Sequence, residues 1–366
     1  MEEKKKKAQA RFIGIDLGKK SYQVAFVGKG GKVMMSNGKT HPDGRQALYK
    51  KLRPQDKVAI EAGSMAFTMA KEIEAAVGCL VYVLNPHQLA VIYASMKKTD
   101  KEDALKLAHI LEDCREERLP VVAVPSDKEM MRRKLLASSR RVIQDRNRYI
   151  NQLHGQFVSQ GITTVTRSEL STAENRQDTI KVLVGHEREE AEHLLKCLEL
   201  CEKRIAELEK QMAEEAAGDE VIERLQSVPG VGPKVAFAFV AHVAAERFEN
   251  AGQVSNYLGL VPRIYMSGQT IKYGRITKRG NSYLRALLVQ GAWALTRTKN
   301  GGKLKDRYEY MTKENSISKK KAIVAIARRL AEEMYTLMRD GTRHEYRPFT
   351  PEKGKAKKLA QLALSA

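Results

Sequence analysis

Residues 11–38 read RFIGIDLGKKSYQVAFVGKGGKVMMSNG. Within this stretch Phe12–Leu17 is an apolar run ended by Gly18, Gln23–Val27 is a second run turned by Gly30-Gly31, and Lys32–Asn37 completes a meander of three strands. Further along, Gln46–Leu52 has helical spacing, and Lys57–Glu61 (KVAIE) reads as a buried strand. Met65–Val77 reads as a helix and Leu80–Leu84 as a strand stopped by Asn85-Pro86.

That order of strands and helices is the ribonuclease H-like one, an α/β fold. In such a sheet Asp16 on the first strand and Glu61 on the fourth are spatial neighbours, although 45 positions separate them. Asp100 and Asp103 open a predicted helix. If Thr99 caps it, both point from the first turn toward one side, while Glu102 points elsewhere. Four carboxylates in one cleft repel each other unless a divalent cation neutralises them, and hard oxygen donors suit Mg²⁺ or Mn²⁺. Metal-assisted phosphoryl chemistry is the expected use of such a site. The run Ile13–Gly18 also resembles the first phosphate loop of actin-like kinases and ATPases, but no second Gly-rich phosphate loop follows a strand downstream.

The 366 residues are 42% hydrophobic, enough for two or three folded domains with real cores. Lysine and arginine exceed aspartate and glutamate by 65 − 44 = 21. So large a basic excess favours a polyanionic partner, nucleic acid first. No apolar run approaches the roughly 20 residues of a spanning helix, so no membrane partner is expected. Met1–Lys7 is charged and without an apolar core, and Cys79, Cys114, Cys197 and Cys201 lack C-x-x-C spacing. Both features fit reduced thiols in a cytoplasmic protein.

Lys128–Arg148 carries eight basic residues against two acidic ones and reads as a helix. Leu136, Ile143, Ile150 and Phe157 recur every seven residues, giving one apolar seam among arginines, of which Arg132, Arg133, Arg140 and Arg141 are candidate nucleic-acid contacts. After a polar stretch, Ala191, Leu194, Leu198, Cys201, Ile205, Leu208 and Met212 alternate spacings of three and four, as in a coiled coil. Spacing leaves open whether the partner is the preceding helix, folded back antiparallel, or another protomer. A dimer or tetramer joined through this seam is one expectation.

Leu225–Gly232 (LQSVPGVG) precedes a helix from about Lys234, a helix-hairpin-helix pattern in which Gly230 and Gly232 would bring backbone N–H groups, with Lys234 beside them, to a phosphate. Arg263–Arg285 holds six basic residues and no acid, interleaved with Tyr265, Tyr273 and Tyr283. Arg263, Arg275, Lys278 and Arg279 are the candidate contacts there. The same segment includes Ser267-Gly268, read as a loop serine ringed by guanidiniums that could attack a phosphodiester given a base or metal. Helices over Ser282–Thr298 and Ser318–Arg339 complete a mainly α-helical C-terminal domain. The expected organisation is a ribonuclease H-like domain over 1–127, a helical coiled-coil segment over 128–218, the C-terminal domain over 219–346, and a basic, disordered tail over 347–366.

These motifs together carry a resemblance. The chain resembles transposases of insertion-sequence family 110 and its 1111 subgroup, related to the Piv-type DNA invertases. It shares I-G-I-D (Ile13–Asp16), I-E-A-G (Ile60–Gly63), V-L-N-P (Val83–Pro86) and K-T-D-x-x-D (Lys98–Asp103). It also shares P-G-V-G (Pro229–Gly232), Y-L-G-L-V-P-R (Tyr257–Arg263), Ser267-Gly268 and K-R-G-N-x-x-L-R-x-L-L (Lys278–Leu288). The resemblance covers about Arg11 to Arg339. It implies a domain like the Holliday-junction resolvase RuvC with Asp16, Glu61, Asp100 and Asp103 as its DEDD set, and Ser267 as the C-terminal nucleophile. Donor and target DNA, and a structured noncoding guide RNA that pairs with both, are the implied partners. Two other readings stay open on the residues: a RuvC-like nuclease that uses water, with Ser267 structural, and a nucleic-acid-binding protein without catalysis.

Overall fold

The computed structural model describes residues 10–28, 30–86, 88–89, 99–267, 270–346 and 349. Lys98 of the K-T-D-x-x-D motif, Gly268 and the basic tail lie outside them. Two compact units, Met1–Ser126 and Asp127–Ala366, divide the chain.

In the first unit β1 (Phe12–Leu17), β2 (Ser21–Val27), β3 (Val33–Lys39), β4 (Lys57–Glu61) and β5 (Leu80–Leu84) form one mixed sheet in the order β3-β2-β1-β4-β5. The β1–β2 and β2–β3 pairs are antiparallel, and β1–β4 and β4–β5 are parallel. Among the described residues, the α-helices that accompany the sheet are α1 (Pro42–Tyr49), α2 (Ala66–Val77) and α3 (Asp100–Asp113). Helix α1 starts at Pro42 rather than Gln46. Proline takes a first helical position without losing a needed N–H, and His41 Nδ1 accepts the Gly44 N–H at 3.2 Å.

Strand alternation sorts the side chains of β1 between two faces. Ile13 and Ile15 are fully buried in a cluster with Val58, Ile60, Met69 and Ile73. Gly14 faces α3 on the opposite side, where a Cβ would stand 1.9 Å from the Ala104 carbonyl oxygen and 2.6 Å from the Ala108 nitrogen. Only a residue without a side chain lets the helix approach this closely. Ala25 and Val27 of β2 share a buried cluster with Ala104 and Ala108, and Ala59 of β4 shares one with Leu107 and Leu111. Small residues on the strands thus seat α3 across the middle of the sheet.

The second unit is mostly helical. Its two longest helices, α4 (Asp127–Ser159) and α5 (Gly185–Ala216), have 33 and 32 residues. Ile150, Leu153 and Phe157, late in α4, share a core with Ala191, Leu194, Leu195 and Leu198, early in α5. Early in α4, Arg132 meets Glu215 at the end of α5, so the two helices run antiparallel. The apolar stripe of α5 is therefore occupied within the chain. It supplies no support for a seam between protomers. The connection folds onto this pair: Arg176, 4% exposed, donates to Glu202 Oε1 at 2.7 Å and Oε2 at 3.0 Å, and Arg146 donates to the same carboxylate at 3.0 Å.

The remainder comprises α6 (Glu220–Leu225), α7 (Pro233–His242), α8 (Ala251–Tyr257), the hairpin of β6 (Pro262–Ser267) and β7 (Thr270–Ile276), α9 (Ser282–Arg297), α10 (Gly302–Glu309) and α11 (Lys319–Asp340). Phe237, Phe239, Leu288, Leu295, Ile326, Leu330 and Tyr335 form its core. Gly230, at φ +80°, lies backbone to backbone with α9, where a Cβ would meet the Gly291 carbonyl oxygen at 2.3 Å. Among the described residues no helix is long and apolar enough to cross a membrane.

Candidate functional site

Asp16 and Glu61 follow from the register of β1 and β4. The parallel pairing runs from Phe12 with Lys57 to Ile15 with Ile60, and the next residue on each strand is one of these two acids. Both lie on the same face as Gly14 and Ala59, the face that α3 covers. Helix α3 begins there. Thr99 accepts the Glu102 N–H at 3.3 Å as N-cap, which starts the helix at Asp100 and puts Asp103 in its first turn. The seating of α3 on Gly14 brings that turn to the end of β1.

The Asp16 carboxyl is held above its ordinary value, first by burial and then by the negative charges of Asp100, Asp103 and Glu61, against a smaller lowering by a hydrogen bond with the Leu17 backbone. The other three acids therefore bear on Asp16. A cation among them would relieve both the burial and the repulsion, and an all-carboxylate donor set fits a hard divalent ion. Among the described residues no three potential ligands stand close enough to hold an ion as they are. Lys106 occupies part of that role, donating to Asp103 Oδ1 at 2.9 Å.

Ser267 is the last residue of β6, exposed and paired across the ribbon with Thr270. The loop expected around it is instead a two-stranded hairpin. Its strands alternate as strands should, but Ile264, Tyr265, Met266 and Ile271 are all about half exposed or more, so no buried face betrays the period. Among the described residues the Ser267 hydroxyl makes no hydrogen bond within its unit.

The basic candidates divide. Arg132 is buried, 2% exposed, donating to Asp219 Oδ2 at 2.6 Å and Glu215 Oε1 at 3.2 Å over the ring of Phe237. Arg133 donates to the Ala241 carbonyl at 2.7 Å, and burial pulls its pKa down. These guanidiniums hold α4 to the body of the unit. Arg140 lies over the ring of Tyr283 at 5.3 Å, whereas Arg141 is exposed and bonds Ser138 in its own helix. Gly230 is committed to its contact with α9. Gly232 caps α7, and Lys234 faces Glu209 at 3.6 Å. Arg263, Arg275, Lys278 and Arg279 are exposed on or beside the hairpin.

Sequence reasoning missed Gly14, Lys106 and Arg328. Gly14 had a readable signal, a glycine inside an apolar strand, which marks close backbone approach. Lys106 had the i,i+3 spacing from Asp103. Arg328 on α11 had none, because it reaches the hairpin only through the tertiary fold.

Residues 13–160 match a family model for a DEDD transposase of the IS110 type, and residues 222–309 match the model described as transposase IS116/IS110/IS902 family. The chain is 30% identical over 290 residues to a protein of Pseudomonas aeruginosa named "Probable family 20 transposase", covering 78% of this chain and 84% of that one. It is 27% identical to the transposase for insertion sequence element IS1111A of Coxiella burnetii over 78% of each chain. With the transposase for IS1328 of Yersinia enterocolitica it shares 26% identity over 76% of this chain and 82% of the other.

Proposed function

The chain belongs to the IS116/IS110/IS902 family of transposases, and from that premise we propose that it cuts and rejoins DNA through Ser267, assisted by a divalent cation held by Asp16, Glu61, Asp100 and Asp103. The observation that carries this reading is the convergence of the four acids, from two strand ends and one helix start, to the point where three of them raise the carboxyl of the fourth. In the proposed step a bond forms between Ser267 Oγ and phosphorus as the bond from phosphorus to the 3′ oxygen breaks. The serine proton ends on that oxygen, which leaves as a hydroxyl, and a 5′-phosphoserine link remains. A bound cation would supply charge stabilisation at the phosphorus and ease loss of the serine proton. The ester keeps the energy of the broken bond, so rejoining needs no ATP. Strand exchange then passes through a Holliday junction.

A structured noncoding RNA as guide to donor and target is part of the proposal. The net charge of +21 supports a polyanion of either kind. Ser267 and the acids belong to different units of the chain. One chain could supply both or two protomers could share them, and mixing decides between these. The test is a cellular transposition assay with Ser267→Ala, Asp16→Asn and an equal mixture of the two. Loss in each single variant supports the joint site. Recovery in the mixture means that two protomers complete it, and full activity of Ser267→Ala alone would leave water as the nucleophile.

A further inference from the structure

At the base of the β6–β7 hairpin is a cleft of about 620 Å³ whose lining includes Arg263, Tyr265, Tyr273, Thr277, Arg279 and Arg328. The volume falls inside the range of about 300–1,000 Å³ usual for small-ligand sites. Three guanidiniums line it and no acidic side chain does. Among the described residues the guanidiniums of Arg263 and Arg279 have no hydrogen bond or ion pair. Arg328 arrives from α11 and is fixed from behind: its Nε donates to Glu332 Oε1 at 2.8 Å. Glu332, 9% exposed, is fixed in turn by Ser255 Oγ and Arg329, each at 2.8 Å. One carboxylate therefore serves two arginines, and the terminal nitrogens of Arg328 remain uncommitted. Thr277 Oγ1 is shut away from solvent without a partner on the same lining.

The aromatic side is as deliberate. Gly274 leaves room for the Tyr265 ring, which comes within 2.9 Å of where a Cβ would be, and that ring stays 57% exposed. Unpaired cations beside an open aromatic surface match the two parts of a nucleotide, phosphate and base. In a paired duplex the base faces are covered by their neighbours, so only a strand out of its stack can use both parts.

We propose that this cleft holds an unpaired nucleotide of a bound strand, its phosphate on Arg263, Arg279 and Arg328 and its base against the tyrosines. This rests on the recombinase reading, because it makes the cleft the grip on the strand next to Ser267.

The test uses the full-length chain and three probes of about 12 nucleotides bearing 2-aminopurine: single-stranded DNA, single-stranded RNA and duplex DNA. Stacking quenches the probe. The wild-type chain should quench the single strand more than the duplex. Arg328→Ala and Tyr265→Ala should each weaken single-strand affinity about tenfold or more, with duplex affinity kept within about twofold. Tyr265→Phe should bind like wild type, which separates stacking from misfolding, since this ring is exposed. Quenching by RNA that the same variants abolish supports the cleft and assigns the strand to RNA. Equal losses for duplex and single strand, or no loss in Tyr265→Ala, overturn it. If wild type still forms a Ser267-dependent covalent DNA product while the cleft variants bind the single strand normally, the cleft fails alone. If wild type binds none of the three probes, the recombinase reading fails with it.

Discussion

Gly14 decides where Asp16 ends up. A methyl at this position would collide with the backbone of α3, and the helix carries two of the four acids. Gly14→Ala is expected to cost at least about 1–3 kcal/mol in thermal or denaturant unfolding, as overpacking does. It should also abolish activity even where the protein remains folded. Asp16 itself yields a pH prediction. Its folded carboxyl titrates above its unfolded value, so below about pH 3.9 it is neutral in both states and costs nothing. As pH rises through the folded value, ionisation of a carboxyl that is partly buried and beside three other acids works against the fold. In chelator at pH 7, Asp16→Asn should therefore melt higher than wild type, and at pH 3 the two should coincide. Mg²⁺ should raise the wild-type melting temperature more than the variant's. A difference that ignores pH would contradict the clustering of charge. The acids stand out in the sequence because each falls at or within a turn of the end or start of an element. Gly14 was legible as part of a motif but not as a spacer, since its neighbour lies about ninety positions away.

Among elements, the α4–α5 pair separates what arginines do from where they occur. Composition alone makes all of α4 a basic surface, yet Arg132 is enclosed by Glu215 and Asp219. Arg132→Ala leaves those carboxylates poorly paired and is expected to destabilise by about 3–5 kcal/mol. Arg141→Ala, on the exposed side, should change stability by about 0.5 kcal/mol or less. A pair of chemical denaturation curves checks this. The apolar period of α5 was legible, its partner was not, because a heptad stripe looks the same whether a helix of its own chain or of another covers it. With Leu194 and Leu198 in the chain's own core, the unfolding midpoint of this region should not depend on protein concentration. Leu198→Ala should cost about 2–5 kcal/mol. The β6–β7 ribbon shows the opposite failure: its strands are real but bury no face, so period two had no burial to reveal it.

At the scale of the molecule, a net charge of +21 sets a background affinity for any nucleic acid. That background should fall steeply and linearly in log K against log salt. It carries no sequence information, which has to come from elsewhere, such as the proposed guide RNA. The α/β character of the first unit and the helical character of the second were legible from their periodicities. Whether Ser267 in one unit and the acids of the other form one site is not encoded by any pattern within either segment. We propose that these two sets of residues act on one phosphate. This is tested most directly by incubating the protein with RNA from the element's flank, Mg²⁺ and end-labelled donor and target DNA, then resolving protein-linked DNA on a denaturing gel. Wild type should form an adduct that disappears in both Ser267→Ala and Asp103→Ala. Metal-dependent cleavage that proceeds without an adduct, undiminished in Ser267→Ala, would contradict it.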